Sequence, residues 1–305
     1  MVAIELRYFC DVAENTHELQ FGFGISSKAS ATMEQHEIEA LADELLSASQ
    51  TGQVVSALPS SRPGFDLDAA YAVENRLKCL REASGVRLAG RKVGYANKAM
   101  WRVFKLPTLV WAHMYDDTVH YSEGNSADLA LPRARSLKVE PEIVFGMKQA
   151  VTTEALDAAS ALHNVDWIAI GFEIIDCPYP DWKFQPSDFV ASFGLHAALV
   201  VGDRVPVRPD AIASLIEELP RLKVRVSKNG GFVEEGSGKN SLGSPAACLA
   251  ELGTAILRRF PDRPLGVGEL VSTGTLTAGH LAASGETWTV DVSGLALPSL
   301  SLRLT

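Results

Sequence analysis

The stretch Lys138-Val139-Glu140-Pro141-Glu142-Ile143-Val144-Phe145-Gly146-Met147 constrains this chain more than any other. Val139, Ile143 and Phe145 alternate with Glu140, Glu142 and Val144, the period of two of a half-buried strand. Side chains two apart on a strand share a side, with Cα atoms roughly 6.5–7 Å apart. Glu140 and Glu142 therefore bring two carboxylates into one small volume, where like charges repel. A divalent cation relieves that repulsion, and hard oxygen ligands suit Mg²⁺ or Mn²⁺ better than zinc. Pro141 has no N–H for a ladder, so the pattern predicts an edge strand or a bulge at this point. The competing reading is a solvated strand face, because glutamate is usually exposed.

A third acid decides between the two. Asp166-Trp167-Ile168-Ala169-Ile170-Gly171-Phe172-Glu173-Ile174-Ile175-Asp176 is strongly apolar and reads as a buried strand. Glu173 lies inside it, where an unpaired carboxylate is costly. Glu140, Glu142 and Glu173 together, with positions left open for water and substrate, predict a catalytic Mg²⁺ site rather than a structural cage. Asp176 falls on the opposite side of a regular strand from Glu173 and is expected to have a structural or supporting role.

Val139-Glu140-Pro141-Glu142-Ile143, Glu173-Ile174-Ile175-Asp176 and Asp181-Trp182-Lys183 resemble the hydratase/decarboxylase branch of the fumarylacetoacetate hydrolase superfamily, which includes 2-keto-4-pentenoate hydratase and 4-oxalocrotonate decarboxylase. Ala70-Tyr71-Ala72-Val73, Gly90-Arg91-Lys92-Val93-Gly94, Leu242-Gly243-Ser244-Pro245 and Thr273-Gly274-Thr275-Leu276-Thr277 fit the same branch in the same order. The resemblance runs from about Met33 to the C-terminus. It implies a mixed β-roll with the metal at its mouth. It also implies an active-site role for Lys92, whose ammonium would pair with a substrate carboxylate or relay a proton. Lys183 matches the same pattern and is expected at the substrate. Thr275 and Thr277 sit in a turn able to offer hydroxyls and backbone N–H groups to a substrate carboxylate, although a plain strand end reads the same way.

The chain departs from the branch in two places. Leu106-Pro107-Thr108-Leu109-Val110-Trp111 carries Thr108 where hydratases of the branch usually have an aspartate, and its Leu-Val-Trp resembles the decarboxylase form. Thr108 is therefore expected at the substrate pocket. Ala191-Ser192-Phe193-Gly194 replaces a usual Ala-Asp-Asn-Ala.

A net charge of -9 with no basic stripe argues against a nucleic-acid partner. It also means that an anionic substrate needs a local cation or metal to draw it in. No apolar run reaches the length of a membrane span, and Glu5 interrupts any signal-peptide core. Cys10, Cys79, Cys177 and Cys248 are scattered without a Cys-x-x-Cys pair, which argues against structural zinc and a disulfide framework and makes the cytoplasm the expected compartment. His17, His36, His113, His120, His163, His196 and His280 show no ligand spacing and are expected to be structural or solvated. No Gly-x-Ser-x-Gly elbow supports a serine hydrolase.

Residues 1–32, with Phe21-Gly22-Phe23-Gly24 and a Ser-rich run, are expected to form a flexible arm, and Met33 is a plausible true start. Residues 33–90 read as a small helical part. Glu37 to Ser49 is amphipathic through Ile38, Leu41, Ala42, Leu45 and Leu46, and a second helix follows Asp66 as N-cap and ends near Gly85. Residues 91–305 read as a strand-rich catalytic body with an Asn229-Gly230 hairpin and a helix opened by Ser244-Pro245. Helices followed by strands argue an α+β fold. The resemblance implies a metal-dependent lyase, assembled as a homo-oligomer, that acts on a short 2-oxo or 2-hydroxydienoic acid. Hydration is the leading reaction and decarboxylation the alternative. C–C hydrolysis and a non-catalytic role in a complex rank below both.

Overall fold

Among the described residues two helices come first, each from an amphipathic stretch. The computed structural model describes residues 32–131, 133–154 and 156–305, so the expected arm lies, but for its last residue, outside the described residues. Helix α1 (Gln35–Thr51) buries Ile38, Leu41, Ala42, Leu45 and Ala48. Helix α2 (Leu67–Ala83) starts at Asp66, whose side chain accepts from Ala69 N–H at 2.9 Å, and Gly85 follows its end with φ +90°. Tyr71 on α2 is core, and its hydroxyl accepts from Trp111 N–H.

Strand β1 (Leu88–Gly94), helix α3 (Lys98–Phe104), β2 (Val110–Tyr115), β3 (Val119–Tyr121) and β4 (Ser126–Leu129) lead to the long strand β5 (Leu137–Met147). Helix α4 (Ala158–His163) connects it to β6 (Val165–Asp176), and α5 (Pro186–Ala191) leads on to β7 (His196–Val201) and β8 (Val205–Pro206). After α6 (Ile212–Glu218), strands β9 (Lys223–Lys228) and β10 (Gly231–Ser237) form the expected hairpin. Asn229 and Gly230 both take positive φ, as a two-residue turn that follows strand twist requires. Helix α7 (Pro245–Arg259) has Pro245 in its first turn. Strands β11 (Leu270–Ser272), β12 (His280–Ala282), β13 (Thr287–Ser293) and β14 (Leu300–Leu304) complete the chain.

The first sheet runs β2-β1-β11-β5-β6-β7-β3, with β12 also on β5 and β8 on β6. The second runs β10-β9-β13-β14-β4. Both mix parallel and antiparallel pairs, as in a curled mixed roll: β1–β11, β3–β7 and β4–β14 are parallel. Buried residues from α1 and α2 join those of the strands in one core, from Leu41 through Phe145 and Phe172 to Leu302. No helix among the described residues is long and apolar enough to cross a membrane.

Strand β5 is not the edge expected from Pro141. It lies inside the sheet, with β6 on one side and both β11 and β12 on the other. Its ladder with β6 runs without a register shift from Leu137 to Gly146. The proline is tolerated because of a gap on the far side: β11 pairs with Val144 to Gly146, and β12 pairs with Leu137 to Val139. Leu276 N–H donates to Pro141 O at 2.8 Å, so the backbone edge of residue 141 faces that gap, where the missing N–H removes no ladder bond.

Candidate active site

The ladder between β5 and β6 builds the centre. Glu140 pairs directly with Glu173, and Glu142 lies one strand repeat further along β5. Opposed residues of an antiparallel pair face the same side, so the three carboxylates converge. One oxygen from each lies within 4.8 Å of the others. Glu142 and Glu173 are fully buried and Glu140 is half-buried.

Glu142 and Glu173 are each held by one oxygen. Glu142 Oε2 accepts from Ser272 Oγ at 2.5 Å and from Gly274 N–H at 2.8 Å. Glu173 Oε1 faces His196 Nδ1 at 3.0 Å. The other two oxygens, Glu142 Oε1 and Glu173 Oε2, are buried without a hydrogen-bond partner. Lys92 Nζ forms an ion pair with Glu173 Oε2 at 3.1 Å. Leaving a buried polar oxygen unpaired costs about 1–3 kcal/mol, and more when it is charged.

The electrostatics agree. Burial, then the Glu173 charge, pushes Glu140 up to about 7. Burial and the charges of Glu173 and Glu140 raise Glu142 well above the ordinary range. Burial also disfavours the Glu173 carboxylate, but Lys92 and His196 outweigh it and hold the group low. Two carboxyls that ionise only against resistance, in a cluster whose three carboxylates bring oxygens within 4.8 Å of one another, fit a divalent cation with oxygen ligands. The donor set contains no sulfur, and that suits a hard ion.

Lys92 is placed by β1, between β2 and β11, with Ser272 as its partner on β11. Its ammonium donates to Gly194 O at 2.9 Å and sits 4.6 Å above the Phe189 ring centroid. Gly194 has φ +61°, and a Cβ there would lie 2.7 Å from Lys92 Cδ, so only glycine lets this carbonyl approach.

Lys92, Glu140 and Glu142 open on a cavity of about 530 Å³ that Thr275 and Thr277 also line. The 273–279 turn does not offer all its donors to a substrate. Gly274 N–H is taken by Glu142, Thr277 N–H by Thr275 Oγ1, and Thr277 Oγ1 donates to Ala278 O. Two expected residues lie elsewhere among the described residues. Lys183 projects into solvent and approaches only Asp181, at 3.4 Å. The Thr108 hydroxyl donates to Glu251 on α7 at 2.5 Å and is not part of the cavity wall. Asp176 has the structural role expected of it, accepting from Arg135 and from Ser136 N–H.

Sequence reasoning passed over four participants. His196 is neither solvated nor merely structural, because it holds Glu173 and is itself held by Thr118 Oγ1 at 3.1 Å. Ser272 holds Glu142. A Cβ at Gly279 would lie 2.7 Å from Glu140 Oε1, so this glycine makes room for the carboxylate. Lys138 lines the cavity beneath Trp182. Only the i, i+2 spacing of Lys138 from Glu140 was visible in the sequence.

No family profile matches the chain. Among curated proteins it is 30% identical over 230 residues to 2-hydroxypent-2,4-dienoate hydratase of Pseudomonas putida, covering 73% of this chain and 97% of that protein. It is 24% identical over 272 residues to 4-oxalocrotonate decarboxylase of Pseudomonas putida, covering 89% and 98%. Among solved structures, 4-oxalocrotonate decarboxylase from Pseudomonas putida G7, complexed with magnesium and adipate, superposes with a TM-score of 0.80 at 23% identity, covering 90% of this chain and 99% of that one. With the carboxylate triad, the buried lysine and the shared roll, the chain belongs to the hydratase/decarboxylase branch of the fumarylacetoacetate hydrolase superfamily.

Proposed function

We propose that this enzyme is a Mg²⁺- or Mn²⁺-dependent lyase of the 2-keto-4-pentenoate hydratase type, acting on a short 2-oxo or 2-hydroxydienoic acid. The observation that carries the reading is the pair of orphaned oxygens, Glu142 Oε1 and Glu173 Oε2, beside the buried Lys92 ammonium. Glu140, Glu142 and Glu173 would hold the ion. When bound, it supplies Lewis acidity toward the C1 carboxylate and C2 oxygen of a 2-oxo acid. Lys92, fixed by Gly194 O, presents an ammonium to pair with substrate charge or to deliver a proton to carbon. Phe184, Trp182 and Phe189 give the cavity an apolar wall that keeps water from the carbon chain. Glu234 also lines the cavity, with Oε2 held by Ala278 N–H and His280 Nε2, and is the acid placed to orient a water for hydration.

Decarboxylation is the second reading. It is supported by the likeness to 4-oxalocrotonate decarboxylase over 89% of this chain. The proposed setting is the cytoplasm, from the scattered cysteines of the sequence, and the proposed assembly is a homo-oligomer. The test offers 2-hydroxypenta-2,4-dienoate and 4-oxalocrotonate with and without Mg²⁺ or Mn²⁺, following ultraviolet absorbance and CO₂. Hydration removes the absorbance of the dienoate without CO₂, whereas decarboxylation releases CO₂ from 4-oxalocrotonate. Failure to consume either acid with both metals refutes the reading.

A further inference from the structure

A second cavity, of about 420 Å³, lies beside the last turns of α1 and α2 and plays no part in the chemistry above. It shares no lining residue with the metal-facing cavity. Three guanidiniums line it, those of Arg81, Arg133 and Arg135. Asp117 pairs with Arg81 and Asp176 with Arg135, which leaves Arg133 without a carboxylate partner among the described residues. Arg133 donates to Gln50 O at 2.5 Å, so this last-turn carbonyl of α1 is already taken and does not call for a cation.

A further donor in the wall is idle. Tyr115, at the end of β2, is 3% exposed, and its buried hydroxyl has no hydrogen-bond partner. Buried hydroxyls are normally paired. The rest of the wall is largely apolar: the Phe193 ring meets Tyr115 edge-on at 6.3 Å between centroids, with Leu131 and Ala197 also lining the space. The volume falls within the roughly 300–1,000 Å³ of small-molecule sites, and an inorganic anion would leave the apolar wall unused. On a chain of net charge -9, the unbalanced guanidinium is a local attraction for an anion.

The wall also reaches the metal centre. Phe193 and His196 both line this cavity, and the segment they bracket serves the other one. Gly194 O accepts from the Lys92 ammonium, and His196 Nδ1 faces Glu173 Oε1. Phe193, Gly194 and Leu195 take three successive left-handed conformations, with φ of 54°, 61° and 59°. Non-glycine residues hold this region only where the surroundings impose it. We propose that the cavity binds a small organic carboxylate with an aromatic or apolar body, its charge met by Arg133 and the Tyr115 hydroxyl, and that its occupancy tightens the metal centre. A body packed on Phe193 adds to the constraint on the segment, and so steadies both the carbonyl that holds Lys92 and the imidazole that holds Glu173. The binding stands independently of the metal-centre reading; the coupling rests on it.

The test titrates benzoate, hexanoate and neutral benzamide calorimetrically into the full chain, first in EDTA and then with Mg²⁺. In EDTA, wild type is expected to bind benzoate about tenfold or more tightly than benzamide, the scale of one charge-assisted pair. Arg133→Met is expected to weaken benzoate about tenfold or more and Tyr115→Phe about two- to tenfold, both keeping the wild-type affinity for Mg²⁺ in the absence of benzoate. Saturating benzoate should raise Mg²⁺ affinity about fivefold, and Mg²⁺ should raise benzoate affinity by the same factor. Failure of both carboxylates to bind wild type in EDTA up to about 10 mM overturns the site. So does benzoate binding that persists unchanged in Arg133→Met and Tyr115→Phe, which would seat the anion on Lys92 in the metal-facing cavity. A Mg²⁺ affinity indifferent to benzoate overturns the coupling. If neither Mg²⁺ nor Mn²⁺ binds, the metal-centre reading fails and the coupling with it, while the titrations in EDTA still decide the site.

Discussion

Replacing Glu140 with glutamine separates the cost of confining its charge from the use the site makes of it. In the folded chain, burial and the neighbouring Glu173 raise this carboxyl from an ordinary 4.5 to about 7. Folding therefore favours the protonated form. That contribution is complete below the unfolded value and is lost as pH rises through the folded one, so the window is about 4.5 to 7. At about 1.4 kcal/mol per pH unit, metal-free wild type should lose about 3 kcal/mol across the window relative to Glu140→Gln, which has the same shape and does not titrate. For a domain of this size that is roughly 6 °C in Tm, at about 2 °C per kcal/mol. The assay is thermal unfolding of both proteins in EDTA at half-unit pH steps, repeated in saturating Mg²⁺. In EDTA the wild-type-minus-variant difference should fall with pH. In Mg²⁺ it should reverse above pH 7, because the carboxylate then gains a cation. A flat difference in EDTA refutes the confinement of Glu140. An equal response of both proteins to Mg²⁺ refutes its role as a ligand.

Gly279→Ala should push the Glu140 carboxylate aside and weaken Mg²⁺ or Mn²⁺ binding at least tenfold by calorimetry, with an unchanged circular dichroism spectrum; unaltered affinity would show that Glu140 has room to move. Lys92→Met should lower kcat about 10²–10⁴-fold, the usual contribution of a positioned proton-transfer group, while metal binding measured by calorimetry persists. Thr108→Val should cost about 1 kcal/mol in urea unfolding through loss of the Glu251 bond, with kcat within twofold of wild type; a large loss of kcat would return Thr108 to the substrate.

The three carboxylates were legible because each broke a pattern. Glu140 and Glu142 repeat on one strand face, and Glu173 interrupts an apolar run, so burial and shared direction followed from period alone. The interior position of β5 was not legible, since Pro141 signals a missing N–H without saying that two short strands leave a gap opposite it. His196 and Ser272 reach the site through strand register, which is a tertiary property with no sequence spacing. Lys183 and Thr108 were placed by motif order, which fixes position along the chain but not side-chain direction. At Lys183 a tight turn aims Trp182 at the cavity and the lysine at solvent. At Thr108 a carboxylate from α7 captures the hydroxyl.

The break between β11 and β12 divides the site by mechanical duty. The metal-facing glutamates stand on the longest uninterrupted ladder of the sheet, where a one-residue insertion would turn every following side chain to the other face. The 273–279 segment crosses the break with no strand partner to stay in step with. Among the described residues its hydrogen bonds to β5 are those of Thr273 N–H and Oγ1 to Ile143 O, Leu276 N–H to Pro141 O and Gly274 N–H to Glu142. Changes in substrate preference within this branch can therefore accumulate in that segment while the ion-holding strands stay fixed. One scaffold can then be retuned for different acids in a segment held by its buried Leu276 and Thr273 rather than by a strand ladder.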